Sequence, residues 1–154
     1  MVLAEETELT ESAVDDALGQ QETGVLSLAR GDEPYAIPIS YGYDRESRTF
    51  YLRLVSTPES KKRAFLASSP SARLVVYDEQ TDGGQERYRS IVATGNLESI
   101  EPSELTVEQI EQYGETRRPL FEIWGQSKAD LDIQLYALRP ETLSGRETVV
   151  KREE

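Results

Sequence analysis

Pro34-Tyr35-Ala36-Ile37-Pro38-Ile39-Ser40-Tyr41-Gly42-Tyr43, Thr49-Phe50-Tyr51-Leu52-Arg53-Leu54-Val55, Ser56-Thr57-Pro58-Glu59-Ser60-Lys61-Lys62-Arg63 and Ala72-Arg73-Leu74-Val75-Val76-Tyr77 follow one another along the chain. They read as strand, strand, polar turn entering a helix, and strand. Thr57 suits a helix N-cap and Pro58 the first helical position, so a helix is expected over Pro58 to Ala67. Lys61 and Lys62 then fall in or just after its first turn, where cations oppose the positive end of the helix dipole at a cost of about 0.3–1 kcal/mol. A phosphate bound there would reverse that cost, because free N–H groups, two ammonium groups and the Ser56 and Ser60 hydroxyls would converge on it. Two solvated surface lysines are the plainer account, and the charges alone do not choose.

Outward from this stretch the chain stays β-rich. Thr10 to Leu18 carries Val14, Ala17 and Leu18 at helical spacing and ends at Gly19. Val25 to Arg30 alternates as a first strand, and Gly31-Asp32-Glu33-Pro34 turns into the second. Asp44-Arg45-Glu46-Ser47-Arg48 is a hairpin-length loop. Tyr88 to Ile100 reads as a long fifth strand in which Gly95 signals a bulge or bend. Thr106-Val107-Glu108-Gln109 resembles a capping box, and a further helical stretch is expected over Leu120 to Leu131. Ile133 to Arg139 makes a sixth strand. The expected architecture is mainly β: a six-stranded antiparallel split barrel with a few short flanking helices, since closure best removes the sheet edges. It forms a single domain over 1–154, with frayed ends at about 1–9 and 147–154.

Composition narrows the chemistry. The 154 residues contain no cysteine and no histidine. Disulfides, thiol nucleophiles, Ser-His-Asp triads and the usual zinc or haem ligation are therefore excluded. Carboxylate-only metal binding stays open, but no loop has calcium-like spacing, and no metal site is assigned. No apolar run approaches a membrane span and the acidic start is not a signal peptide, so a cytoplasmic protein is expected. Asp plus Glu number 29 against 17 Lys plus Arg, a net charge of -12. That field repels nucleic acid and anionic membranes, and no basic stripe offsets it. An acidic chain with lysine only at 61, 62, 128 and 151 suits a high-salt, halophilic setting where self-repulsion is screened. An ordinary acidic cytoplasmic protein is the other reading.

The order of these pieces resembles the FMN-binding split barrel of the pyridoxamine 5′-phosphate oxidase-like proteins, in particular the nitroimidazole-resistance-like branch. The resemblance rests on Gly31-Asp32-Glu33-Pro34, the proline-bearing strand Ala36-Ile37-Pro38-Ile39, Tyr41 to Asp44, the basic pair Lys61-Lys62, and the Ser69-Pro70 break. It runs from Thr10 to about Arg146. It implies ring and ribityl contacts at Pro38, Ile39, Ser40, Tyr51, Leu52 and Arg53, and phosphate contacts at Ser56, Ser60, Lys61 and Lys62. It implies FMN (or a deazaflavin) as cofactor, a homodimer with the flavin between subunits, and an FMN-dependent oxidoreductase acting on a small molecule. A non-catalytic flavin- or ligand-binding module on the same barrel is the alternative, and no catalytic residue is assigned.

By alternation Arg53 shares a face with Tyr51, opposite Phe50, Leu52 and Leu54. A buried arginine there would need an anion or carboxylate, and an ordinary surface salt bridge is the competing account. Many members of the branch carry histidine where Arg53 stands. The Trp- and Arg-rich C-terminal signature of true pyridoxamine-phosphate oxidases is also missing, so vitamin B6 oxidation is not expected. Trp124 reads as a core or interface anchor, or as a flavin-stacking residue from a partner subunit.

Overall fold

The computed structural model describes residues 2–56, 64–66, 71–107, 109 and 132–152. Along the chain come β1 (Val2–Glu8), α1 (Glu11–Gln20), β2 (Thr23–Arg30), β3 (Glu33–Asp44), β4 (Thr49–Ser56), β5 (Ser71–Asp82), β6 (Gln85–Ile100) and β7 (Asp132–Arg152). All pairings are antiparallel. The circuit β7-β4-β3-β2-β5-β6 closes through a β6–β7 ladder, giving the expected six-stranded barrel.

One strand more than expected is present. Residues 2–8 pair with 146–152, so both ends anticipated as frayed lie largely in a ladder. The acidic run of β1 carries no inward apolar alternation, and its order comes from backbone bonds to β7. That strand is 21 residues long. Its first part pairs β4 and its last part pairs β1, while β6 runs along its other edge.

Local chemistry explains the turns. The β2–β3 hairpin has Arg30 opposite Glu33, and Gly31 takes φ 60 as a type II′ turn requires. Gly83 and Gly84 both have positive φ between Asp82 and Gln85, the type I′ signature. The β6–β7 register shifts between Thr94 and Gly95, the bulge expected at that glycine. A Cβ on Gly95 would meet the Arg139 carbonyl oxygen at 2.8 Å. Thr106 and Gln109 form the reciprocal capping box: each side chain accepts from the other's backbone N–H.

The inward faces supply Leu26, Ile39, Tyr41, Phe50, Leu52, Leu54, Leu74, Val76, Ile91 and Leu138, joined by Val14, Ala17 and Leu18 from α1. Each fully buried leucine contributes about 1.5–3 kcal/mol. Thr10 caps α1 by accepting the Ala13 N–H at 3.2 Å. Of the Pro58 to Ala67 helix, Ala64, Phe65 and Leu66 are described and helical. Phe65 is buried, stacks on Tyr35 at 5.0 Å, and lies under the Arg30 guanidinium at 5.6 Å. The expected helix over Leu120 to Leu131 and Trp124 lie outside the described residues. No described helix is long and apolar enough to cross a membrane.

Candidate functional site

Strand alternation divides the predicted contact residues between the two sides of the barrel wall. Ile39 and Leu52 point inward and belong to the main core, so their side chains cannot line an outer site. At these two positions the outer face offers backbone alone, so the contacts expected there fall to N–H and C=O groups. Pro38, Ser40, Tyr51 and Arg53 fall on the outer side, as alternation predicts. Pro38 is exposed, Ser40 and Tyr51 are buried, and Arg53 is half-buried.

An outward tyrosine buried to 4% exposure needs a cover. Register supplies part of it: Gly42 pairs Tyr51, Tyr51 pairs Ala137, and Arg53 pairs Leu135. The end of β6 and the turn after it supply the rest, with Ile100 and Leu105 packed against Tyr51 and Ala137. A second small apolar cluster therefore sits outside the barrel, on β4 and β7. Ser40 borders it on β3 and Arg53 on β4. The glycine opposite Tyr51 leaves the β3 side of the ring without a side chain, and one hydroxyl and one guanidinium stand beside an apolar wall that Ile100 and Leu105 cover.

The phosphate half of the expected site is less complete. Ser56 ends β4, its backbone opposite Asp132. Ser60, Lys61 and Lys62 lie outside the described residues. The chain re-enters at Ala64, and Phe65 fastens this return to Tyr35 and Arg30. Among the described residues, no group of three or more His, Cys, Asp or Glu could hold a metal ion.

With this geometry in view, the comparisons decide the family. A family model described as pyridoxamine 5′-phosphate oxidase matches residues 10–147. The chain belongs to that family. Solved structures share its fold at low identity. An FAD-binding protein from Mesorhizobium loti is 19% identical, with a TM-score of 0.65, over 92% of this chain and 97% of its own. A candidate 5-nitroimidazole antibiotic resistance protein from Bacteroides thetaiotaomicron is 14% identical, with a TM-score of 0.70, over 100% and 96%. An FAD binding protein from Mycobacterium smegmatis is 13% identical, with a TM-score of 0.61, over 92% and 97%. No curated protein matches.

A polar cluster at one barrel end escaped the sequence reading. Tyr43 donates to Asp15 Oδ1 at 2.6 Å, and Arg48 lies 3.3 Å from the same carboxylate. Arg45 holds Asp16 at 2.6 Å, and Arg48 holds Glu11 at 2.9 Å. Burial and the bond to Asp15 push the Tyr43 hydroxyl up to about 12, against an opposing effect of Arg48. Asp15 was legible as the acid on the Val14–Ala17–Leu18 face of α1, a position that demands a partner.

Proposed function

We propose that this member of the family binds a flavin, FMN in first place, on the outer face of β3 and β4, and uses it as an oxidoreductase on a small molecule. The observation that carries the reading is the placement of Pro38, Ser40 and the half-buried Arg53 together on the outer face of β3 and β4, beside the covered apolar wall of Tyr51 and Ala137. A flavin ring needs an apolar surface and a few polar groups for its nitrogen and oxygen edges, and these residue types suit it. Arg53 would face the electron-rich edge of the ring or its phosphate, and Ser40 would donate to the ring or ribityl chain. Ser56, Ser60, Lys61 and Lys62 would hold the phosphate, as the sequence reading expects. Two solved neighbours being FAD-binding proteins supports a flavin. When bound, the flavin supplies the hydride and electron chemistry, and this chain's residues orient it and exclude water.

We further propose a homodimer. Across four ladders run Pro38, Val25, Val75, Val92 and Ser144, each opposite the next and none charged. In a chain of net charge -12, an uncharged outer row bordering the flavin wall at Pro38 suits a second copy. A cytoplasmic, high-salt setting fits the acidic surface.

A second reading, flavin binding without turnover, draws on the absence of any histidine and on Arg53 standing where many relatives of the nitroimidazole-resistance-like branch carry histidine. Denaturing the purified protein and weighing the released molecule tests the first claim. The mass should be that of FMN, whereas FAD or a deazaflavin would redirect it and no release would refute it. Bleaching of the bound flavin by NAD(P)H or a deazaflavin donor then separates enzyme from binding module.

A further inference from the structure

Leu74 and Val76 of β5 are buried in the core, so Arg73, Val75 and Tyr77 project from the outer face of that strand. Two of the three lack what their chemistry asks for. Tyr77 is 61% exposed, a large ring with no cover. Arg73 is exposed as well, and among the described residues neither side chain has a hydrogen-bond, ion-pair or ring partner. Arg30, Arg87, Arg89, Arg139 and Arg146, on β2, β6 and β7, each hold a carboxylate. In a chain with 29 acids against 17 bases, Arg73 therefore stands apart. Register gives the reason. Ser27 and Thr94 flank Arg73, Val25 and Val92 flank Val75, and Ser90 lies beside Tyr77, so no acid borders the guanidinium across either ladder.

We infer that a second copy of this chain packs its β5 antiparallel on β5, with the two-fold axis along the row Val25–Val75–Val92. Arg73 then lies over the ring of the partner's Tyr77, and Tyr77 under the partner's Arg73. The inference rests on the dimer proposed above and supplies its geometry. Sheets packed face to face keep their strands within about 30° of each other, so the axis runs either along the strands or across them. An axis along the strands keeps every residue in its own row. It sets Arg73 against Arg73, Ser27 or Thr94 and leaves the charge uncompensated. An axis across the strands at Val75 exchanges the rows on either side. Arg73 and Tyr77 stand two residues before and two after Val75, so they meet. Each contact joins a cation to an aromatic face, and symmetry supplies it twice. The other pairs created, Ser27 with Thr23 and Thr94 with Ser90, are small and uncharged and admit close approach, while the valines bury one another at the centre.

The chain has no cysteine, so single introduced cysteines report the geometry. Sedimentation of the full chain at high salt first establishes the dimer. Facing sheets lie roughly 10 Å apart, a gap that a short bis-maleimide spans. Val75→Cys should cross-link efficiently to its own copy. Arg73→Cys and Tyr77→Cys should each link poorly alone, being displaced about 13 Å along the strand from their own copies. Mixed and allowed to exchange subunits, these two variants should link efficiently to each other. Arg73→Ala and Tyr77→Ala should each weaken the dimer by about 5- to 30-fold, the loss of two cation–π contacts, and combining them should add little. A dimer in which Val75→Cys fails to link, Arg73→Cys links to itself, or the two alanine effects add in full overturns this geometry and leaves the dimer standing. A monomer at every concentration removes the dimer and this inference with it.

Discussion

Tyr43 donates its phenolic hydrogen to Oδ1 of Asp15 at 2.6 Å, joining the end of β3 to the middle of α1. Val14, Ala17 and Leu18 bury the same helix face in the core, so apolar packing and this polar contact act on one element. The surrounding guanidiniums neutralise the buried acid, although Arg48 Nε is itself buried without a partner.

This bond sets an alkaline limit. The Tyr43 hydroxyl is raised to about 12 in the fold, against about 10 in an unfolded chain. Its contribution is fully present below pH ~10 and is lost as pH rises toward ~12. Urea midpoints should therefore fall over that interval, and Tyr43→Phe should flatten the fall. At neutral pH the same substitution should cost about 1.5–3 kcal/mol, the range for a hydrogen bond to a charged group.

Phe65 fastens the chain's return after the basic turn. Phe65→Ala removes a buried ring stacked on Tyr35 and should lower stability by about 3–5 kcal/mol in urea unfolding. Arg30→Ala, which removes only the cation over that ring, should cost about 0.5–1 kcal/mol.

The bulge at Gly95 can be tested by adding one carbon. Its Cβ would lie 2.8 Å from the Arg139 carbonyl oxygen, a backbone atom that cannot swing aside. Gly95→Ala should cost about 1–3 kcal/mol by thermal or urea unfolding. Gly19→Ala, with open space at its Cβ, is the matched control and should be far milder.

A charge in the uncharged row should split the proposed dimer. Val75→Glu places a carboxylate between Val25 and Val92. Sedimentation at high salt should show a dimer for the unaltered chain and a shift toward monomer for this variant. A monomer in both would remove the row as an interface.

The basic pair carries the phosphate prediction. Each charge-assisted hydrogen bond contributes roughly 1.5–3 kcal/mol, so Lys62→Ala should weaken FMN binding by about ten- to a hundredfold. Lys61→Ala should do the same or less, and Lys128→Ala should leave binding unchanged. Titrating FMN into stripped protein compares the three, and equal affinities would return both lysines to the surface.

Much was legible without coordinates. Alternation gave the six barrel strands and placed Arg53 and Tyr51 opposite Phe50, Leu52 and Leu54, because the side-chain period of a strand is local. Gly31, Gly95 and the Thr106–Gln109 box were readable because turn, bulge and cap chemistry act within a few residues. The family resemblance also came from local order, and residues 10–147 bear it out. Three things required the tertiary structure. The acidic strand β1 is ordered by β7, at the far end of the sequence, so nothing in its own pattern announces it. Tyr51 is buried on the outer face because Ile100 and Leu105 return over it, which separates the wall residues from Ile39 and Leu52 on the core side. The Asp15–Tyr43–Arg48 cluster joins a helix to a hairpin end. Such contacts follow from which strands the closed barrel sets side by side, and long-range pairing leaves no mark in local spacing.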